Sequence, residues 1–400
     1  MRHSNRAKNM IASASSTTAA ALAADAAFMD RALELASHGV ALASPNPMVG
    51  AVLVRDGQVV GEGFHTYDGT RHAEIIALEA AGASARGATL YINLEPCCHT
   101  GRTGPCTQAL IAAGVARVVA AMADPNPAVS GRGFEQLRSA GIEVSTGLHE
   151  AAARRLNEAF ARWIVSRKPL VTLKSALTLD GRLVLPSVKR GATISQEDRW
   201  ISSPESRAEV HRMRHASDAL LTGIGTVLVD DPLLTDRTGL PRRRKLLRVV
   251  MDSRLRLPLR SRLVRSADQD VLVFTRVKEN SPKARALRRA GVEVVRLPGR
   301  GSKPDLRAIL VELGRREILS LLLEAGAILN SAALAAGIVD KMRVFFAPKL
   351  AGPTGTGRRT GAASAPSRLR AVQELQNVTI ERFGPDFAIE GYLRDVYRTR

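Results

Sequence analysis

The sequence predicts an α/β protein built of two domains. From Phe28 onward, short apolar runs with strand character alternate with stretches of helical spacing, an alternation that lays helices against a sheet. The chain has 400 residues, more than the roughly 150 that one domain usually takes. Lys168-Pro169 interrupts a helical stretch between two such alternating regions, because the residue before a proline is pushed out of the helical conformation.

Residues 28–37 carry apolar side chains at helical spacing. Val49–Val54 and Val59–Phe64 flank Arg55-Asp56-Gly57, and Asp-Gly between apolar runs signals a hairpin. A helix is expected over 73–81. Leu90–Leu94 then reads as a short strand running into Glu95-Pro96-Cys97. A helix over 105–113, a strand over Ala116–Met122, a helix over 132–140 and a strand over Ile142–Ser145 continue the pattern, and a helix over 149–166 closes the region. Beyond it, Leu170–Ala176, Ala219–Thr222, Leu247–Met251, Val271–Phe274, Val292–Leu297, Ile318–Leu323 and Met342–Ala347 read as strands with helices between them. Ala351–Ala365, rich in Gly, Pro, Ser and Thr, reads as a mobile loop. The expected partition is a disordered leader over 1–26, a first domain over 27–148, a connecting helix within 149–168 and a second domain over 169–396.

Composition narrows the function. No run of about 18 apolar residues exists, so no membrane span is expected. The three cysteines all fall between Cys97 and Cys106, which suits a local chemical site in a reducing, cytoplasmic setting rather than a disulfide framework. Residues 1–24 are basic, free of acid and rich in Ser, Thr and Ala. That composition fits an organelle transit peptide and fits a bacterial leader or a misplaced start equally well. The net charge of +20 favours anionic partners, either nucleic acid or phosphorylated small molecules. Aromatics are only 4% and are not interleaved with the basic run Arg242-Arg243-Arg244-Lys245, which argues against a base-stacking platform. That run reads as a solvated loop.

The strongest signal is His72-Ala73-Glu74 followed by Pro96-Cys97 and then Cys106. A catalytic zinc takes three nitrogen or thiolate ligands and keeps a position for water, whose pKa it lowers. His72, Cys97 and Cys106 can supply those ligands. Glu74, two residues from the histidine, can move protons between the water and a leaving amine. His-x-Glu with Pro-Cys-x-x-Cys marks zinc nucleobase deaminases. Here position 100 is Thr, and the next thiol is Cys106, beyond a Gly-containing return. Gly104-Pro105 suits a helix start, and a helix N-terminus favours thiolate at Cys106. Neighbours on an extended segment point opposite ways, so Cys98 is read as a buried small residue. His99 is read as substrate-facing or structural. A closed structural zinc knuckle is the bland alternative, and it has no need of Glu74.

These residues resemble the bifunctional riboflavin-biosynthesis deaminase–reductase family. Leu94-Glu95-Pro96-Cys97, Gly101-Arg102-Thr103 before Cys106, Pro45-Asn46-Pro47, Val49-Gly50, Asp124-Pro125-Asn126-Pro127 and Gly131-Arg132-Gly133 carry the likeness in the first domain. In the second it is carried by Asp180-Gly181-Arg182, Trp200-Ile201-Ser202, Arg207, Arg214, Gly223-Ile224-Gly225-Thr226 and Asp230-Asp231-Pro232. It continues through Leu234-Thr235, Arg237, Asp252-Ser253, Glu324-Ala325-Gly326 and Ala347-Pro348-Lys349-Leu350. The likeness spans about residues 27–395.

The resemblance implies a cytidine-deaminase-like αβα domain and a dihydrofolate-reductase-like α/β domain. The first would hydrolytically deaminate a diaminopyrimidinone ribosylamino 5′-phosphate. The second would reduce the ribosyl group to ribityl with NADPH. It implies Zn²⁺ on His72, Cys97 and Cys106, Glu74 as proton shuttle and Asn46 against the pyrimidine. It places the nicotinamide cofactor against Ala176, Trp200, Thr226, Asp230, Ser253 and Gly326. The sugar phosphate falls near Arg214, Leu234 and Arg237, with Glu324 also at the substrate and Lys174 polarising the group that is reduced.

Taken alone, Gly223-Ile224-Gly225 lacks the third glycine of a dinucleotide fingerprint, so a turn and a cofactor site both stay open. The sequence also departs from the family in a longer 183–199 segment and in Asp198, where the family carries a substrate-contacting Ser. Those departures support an alternative in which the reductase domain is degenerate. A nucleic-acid deaminase is a second alternative, supported by the charge and opposed by the Cys97–Cys106 spacing. The expected partners are a phosphorylated pyrimidine and further copies of the chain, with no nucleic acid and no membrane.

Overall fold

Asp56 and Gly57 take φ of 50° and 75°, the left-handed pair that a two-residue hairpin loop requires. They join β1 (Gly50–Arg55) to β2 (Gln58–Phe64), as the Asp-Gly pattern predicts. This computed structural model describes residues 22–101, 104–183, 200–299, 305–352 and 373–398. The chain divides into two units, Met1–Val165 and Ser166–Arg400.

In the first unit a helix over 22–37 (α1) precedes the hairpin. Then come α2 (Ala73–Ala81), β3 (Thr89–Ile92), α3 (Cys106–Ala113), β4 (Arg117–Ala120), α4 (Arg132–Ser139) and β5 (Glu143–Thr146). The sheet order is β2-β1-β3-β4-β5. β1 is antiparallel to both neighbours, and β3, β4 and β5 run parallel. α2 lies directly on β2. A Cβ at Gly61 or Gly63 would come within 2.2 Å of the Ala77 carbonyl or 2.4 Å of the Ala73 carbonyl. Glycine on the strand therefore sets how close the start of α2, with His72 and Glu74, comes to the sheet. Leu53, Leu90, Ile92, Val118, Leu110 and Leu137 fill the core beneath.

The helix expected over 149–166 is two helices, α5 (Glu150–Leu156) and α6 (Glu158–Ser166). They part at Asn157, which leaves helical geometry at φ −103°, ψ 16°. Its buried side chain is used elsewhere: Met48 N–H donates to Asn157 Oδ1 and Asn157 Nδ2 donates to Met48 O.

The second unit holds β6 (Leu170–Thr178), α7 (Pro204–His215), β7 (Ala219–Gly223), α8 (Ile224–Asp230), β8 (Leu247–Met251) and α9 (Arg262–Arg265). It continues through β9 (Val271–Thr275), α10 (Pro282–Arg289), β10 (Val292–Arg296), α11 (Leu306–Arg315), β11 (Ser320–Glu324), α12 (Ala327–Ala335), β12 (Lys341–Ala347), β13 (Gln376–Phe383) and β14 (Asp386–Tyr392). The sheet order is β10-β9-β8-β7-β11-β6-β12-β14-β13, parallel from β10 to β12 and antiparallel at β14 and β13. Alternate residues serve opposite faces. Leu221, Val249, Leu272 and Phe274 pack with α11, while Leu220, Val250, Val271 and Val273 pack with α10. Burial on both faces explains why these strands read as continuous apolar runs. The strand order reverses between β7 and β11, and in open parallel sheets ligands settle beyond the carboxyl ends of the strands at such a point.

Two expectations need correction here. The 242–245 run is a loop, but only partly a solvated one: Lys245 is exposed, whereas Arg242 and Arg244 turn inward. Arg242 bonds Asp236, Arg244 O and Ser217 O; Arg244 bonds Glu317 O; Lys245 pairs with Asp268. Long side chains have let these cations reach acceptors far off in sequence. β13 and β14 were also not expected, since most of β13 is exposed and polar. Residues 184–199 of the longer segment, with Asp198, and most of 351–365 lie outside the described residues. Among the described residues no helix is long and apolar enough to cross a membrane.

Candidate functional site

In the first unit, His72 is the N-cap residue of α2 in extended conformation, and Glu74 lies in the first turn. Cys106 opens α3 directly after Pro105. Cys97 lies on the segment leaving β3. His72 Nδ1 is 3.2 Å from Cys106 Sγ and 3.5 Å from Cys97 Sγ, and the Cys106 N–H approaches Cys97 Sγ at 3.4 Å. All three donor atoms lie within 4.8 Å of one another. A tetrahedral zinc with bonds of about 2.0–2.3 Å would space its ligand atoms about 3.5 Å apart, so the set fits the ion. The hydrogen bond to Cys106 draws the Cys97 thiol below the ordinary cysteine range, towards the thiolate that binds metals. Cys98 is only partly buried and His99 is exposed; neither joins the cluster.

Glu74 is 3% exposed. Burial, reinforced by Cys97, pushes its carboxyl up to about 7. Asn46 Nδ2 lies 2.9 Å from His65 Nε2, and His65 Nδ1 lies 2.9 Å from the Arg71 carbonyl. A carbonyl only accepts, so His65 carries its proton on Nδ1 and accepts a hydrogen bond from Asn46 Nδ2 at Nε2. This turns the Asn46 amide so that Oδ1 remains as an acceptor. The His65 ring also stands edge-on to His72, at 5.4 Å between centroids. Behind the cysteines, the buried Glu95 carboxylate accepts from the backbone N–H groups of Asp124, Gly131, Gly133 and Phe134, fixing the loop that carries Asp124 to Gly133.

In the second unit, Arg214 and Glu324 form a bidentate pair at 2.7 and 2.9 Å, and Arg214 also donates to Thr235 O at 3.1 Å. Glu324 registers with Lys174 across β11 and β6. Burial lowers the Lys174 ammonium. Burial would raise Glu324, but Arg214 and then Lys174 outweigh it and hold the carboxyl low. His211 lies one turn from Arg214. Its Nδ1 is buried with no partner among the described residues, and burial, Arg214 and Arg237 all hold the ring neutral. Leu234 takes φ 57° and its side chain is buried, so its main chain is what a ligand would meet.

The residues expected at a cofactor lie along the carboxyl ends of the strands. Gly223 and Gly326 are the N-cap residues of α8 and α12, and Leu329 of α12 reaches to 3.6 Å from a Cβ built at Gly223. Thr226 and Asp230 lie on α8, and Ser253 follows β8. Ala176, on β6, packs beside Phe345. Trp200 lies under the Arg207 guanidinium at 5.3 Å and its carbonyl accepts from Lys349.

Residues 22–122 match the cytidine and deoxycytidylate deaminase zinc-binding region, and residues 169–389 match the RibD C-terminal domain. The chain is 41% identical over 368 residues to the riboflavin biosynthesis protein RibD of Aquifex aeolicus, covering 91% of this chain and 97% of that one. The chain belongs to the RibD family. Two solved structures show RibD architecture along 93% of this chain and 99% of theirs, at 35% identity and a TM-score of 0.76. They are RibD of Acinetobacter baumannii and a Thermotoga maritima diaminohydroxyphosphoribosylaminopyrimidine deaminase/5-amino-6-(5-phosphoribosylamino)uracil reductase. RibD membership bears out the expected fold class, a zinc-binding deaminase region followed by a RibD reductase domain, and the expected place in riboflavin biosynthesis.

Sequence reasoning missed His65, His211, Glu95 as a loop anchor, and Asn157. Each matters through residues brought to it by the fold; only Glu95 lies in a local motif, and that motif does not mark its anchoring role.

Proposed function

We propose that the first unit hydrolyses an exocyclic amine of a diaminopyrimidinone ribosylamino 5′-phosphate, and that the second reduces the ribosyl group of the product to ribityl. The convergence of His72, Cys97 and Cys106 beside the buried Glu74 carries this reading. When bound by those three residues, zinc supplies an activated water. Glu74, poised near neutrality, would take the proton that a water gives up as its hydroxyl adds to the amine-bearing ring carbon and pass it to the ring nitrogen, then carry the proton of the added hydroxyl to the amine, so that the carbon–nitrogen bond breaks, ammonia leaves and a carbonyl remains. Asn46 Oδ1, oriented by His65, accepts from an N–H of the pyrimidine.

In the second unit NADPH supplies the hydride. Lys174, in a buried site, polarises the group that receives it, and Glu324 is held between Lys174 and Arg214 to order the ribosyl hydroxyls. Arg237, with no ion pair among the described residues, meets the phosphate through its planar fork. The inward bonding of Arg242 and Arg244 removes much of the basic run that would favour nucleic acid. Exposed Val229 and Ile328 on α8 and α12 support a homo-oligomer, and the gathering of free cysteines at one chemical site supports the cytoplasm.

The test is Glu74→Gln. Gln keeps the shape but cannot relay a proton, so deamination should fall by about 10²–10⁴-fold with one zinc still bound. Near-normal turnover would remove Glu74 from the mechanism.

A further inference from the structure

We propose that Asp236, gripped by His215 and Arg242, is a positioning residue that aims Arg237 at the 5′-phosphate of the reductase substrate. The inference rests on the reading of Arg237 as the phosphate contact and adds what holds that contact in place.

Arg237 is exposed on a segment whose neighbouring residues are all tied down. Its own side chain has no ion pair among the described residues. On the N-terminal side, Arg248 donates to Leu233 O at 2.9 Å and Arg214 donates to Thr235 O at 3.1 Å. On either side of Arg237 stand Asp236 and Thr238, and these are joined. Thr238 N–H and Thr238 Oγ1 each donate to Asp236 Oδ1 at 2.9 Å. An aspartate that accepts from the backbone two residues on closes a local turn, and here that turn brackets Arg237.

The other carboxylate oxygen faces the end of α7. Asp236 Oδ2 accepts from His215 Nδ1 at 2.7 Å and from Arg242 Nη1 at 3.2 Å. The His215 side chain is 6% exposed and that of Asp236 10%. Arg242 is itself fixed, donating to Ser217 O at 2.9 Å and to Arg244 O at 2.8 Å. Burial would raise the Asp236 carboxyl, but the bonds from Thr238 and His215 outweigh it and hold the carboxyl low, so it remains an acceptor. Oδ1 therefore shapes the turn that carries Arg237, and Oδ2 pins that turn to α7, the helix from which Arg214 reaches Glu324.

Charge alone gives no reason for an acid at this place. A carboxylate one residue from a phosphate contact repels the dianion, and burying it is costly unless it is bonded. The bonds to Thr238, His215 and Arg242 offset that cost and leave a fixed turn. A guanidinium set in place before the ligand arrives loses less freedom on binding, which appears as affinity.

The experiment follows NADPH-dependent reduction by the full chain in the Glu74→Gln background, with the deaminated intermediate in its phosphorylated and dephosphorylated forms. Asp236→Ala and His215→Ala should each raise KM for the phosphorylated form by about threefold to tenfold, the loss expected when one side chain is no longer held. Their kcat should not change, and neither should kcat/KM for the dephosphorylated form. Asp236→Asn, which keeps the Thr238 turn and loses the Arg242 pair, should fall between the parent and Asp236→Ala. In the Arg237→Ala background, Asp236→Ala should have no further effect on KM, because residues that act through one group do not add. If thermal melting shows Asp236→Ala to be unfolded, His215→Ala and its combination with Arg237→Ala decide the matter. A lower KM in Asp236→Asn would mean that the carboxylate acts by its charge. Losses that add to those of Arg237→Ala, or that are equal for both forms of the intermediate, would make Asp236 a structural residue only. Each of these results overturns the positioning role and leaves Arg237 at the phosphate. An Arg237→Ala variant that reduces the phosphorylated form as well as the parent does would overturn the reading of Arg237 too.

Discussion

Asn157 grips Met48 by both main-chain groups, Met48 N–H donating to Oδ1 at 2.8 Å and Nδ2 donating to Met48 O at 2.9 Å. Asn93 donates to the same carbonyl at 2.9 Å and accepts from Gly50 N–H at 2.9 Å. Between them they hold the segment on which Asn46 sits. Asn157→Ala leaves two buried backbone groups less satisfied, and should lower stability by about 1–3 kcal/mol. It should also raise the KM for deamination while zinc content stays at one per chain, because no metal ligand moves. Urea unfolding, steady-state kinetics and metal analysis check the three parts. Unchanged KM would mean that Asn46 is held without this clamp.

Metal analysis of two cysteine variants separates the neighbours. Cys106→Ser should lose most of its zinc, because a hydroxyl is a poor substitute for a thiolate. Cys98→Ser should keep it, since Cys98 lies outside the cluster. Zinc lost from Cys98→Ser and kept in Cys106→Ser would reverse the ligand assignment.

The zinc cluster was legible because its chemistry is local: a histidine and a glutamate two residues apart, and two thiols about a short return. The parallel strands were legible for the same reason, as buried apolar runs. What stayed hidden depends on pairings across the fold. His211 looks like any polar residue of α7 until Arg237 approaches it. Arg242 and Arg244 looked like a solvated run because Asp236, Ser217 and Glu317 stand at scattered positions. β13 carries too few buried side chains to show a strand period. Glu95 belonged to a motif, yet its role as acceptor for the 124–134 loop needs the fold.

Lys174 should give the reductase an alkaline limb below the ordinary lysine range. Burial lowers its folded-state pKa from 10.5, so folding releases a proton in the window between the lowered value and 10.5. The unfolded chain binds more protons there, and stability contributed through this group rises with pH across that window. Activity moves the other way, since the ammonium is the polarising form. kcat/KM of reduction should fall with rising pH earlier than free lysine would dictate. In Lys174→Arg the limb should move out of range, because guanidinium stays charged, whatever the loss in rate. A limb left in place by that change would belong to another group.

The last prediction separates two arginines that sequence alone treats alike. Arg214 has its fork committed to Glu324 and a further donor on Thr235 O, whereas Arg237 has no ion pair among the described residues. Removing Arg214 leaves Glu324 buried with only Lys174 nearby, and breaking a buried pair typically costs about 3–5 kcal/mol. Arg214→Ala should therefore lower the melting temperature and abolish reduction together. Arg237→Ala should leave the melting temperature within error and raise the KM for the deaminated, phosphorylated intermediate by about tenfold to a hundredfold, the range for losing one charged hydrogen bond. The assay is run in the Glu74→Gln background, so that no deamination intrudes, and follows NADPH absorbance. A dephosphorylated form of the same intermediate should be reduced equally poorly by the Glu74→Gln parent and by the Arg237→Ala variant, since neither can use the missing group. If Arg237→Ala instead weakens both forms alike, Arg237 acts on the ribosyl chain or the fold, and the phosphate clamp lies elsewhere. If the parent consumes no NADPH with either form, the second unit is a binding module rather than a reductase.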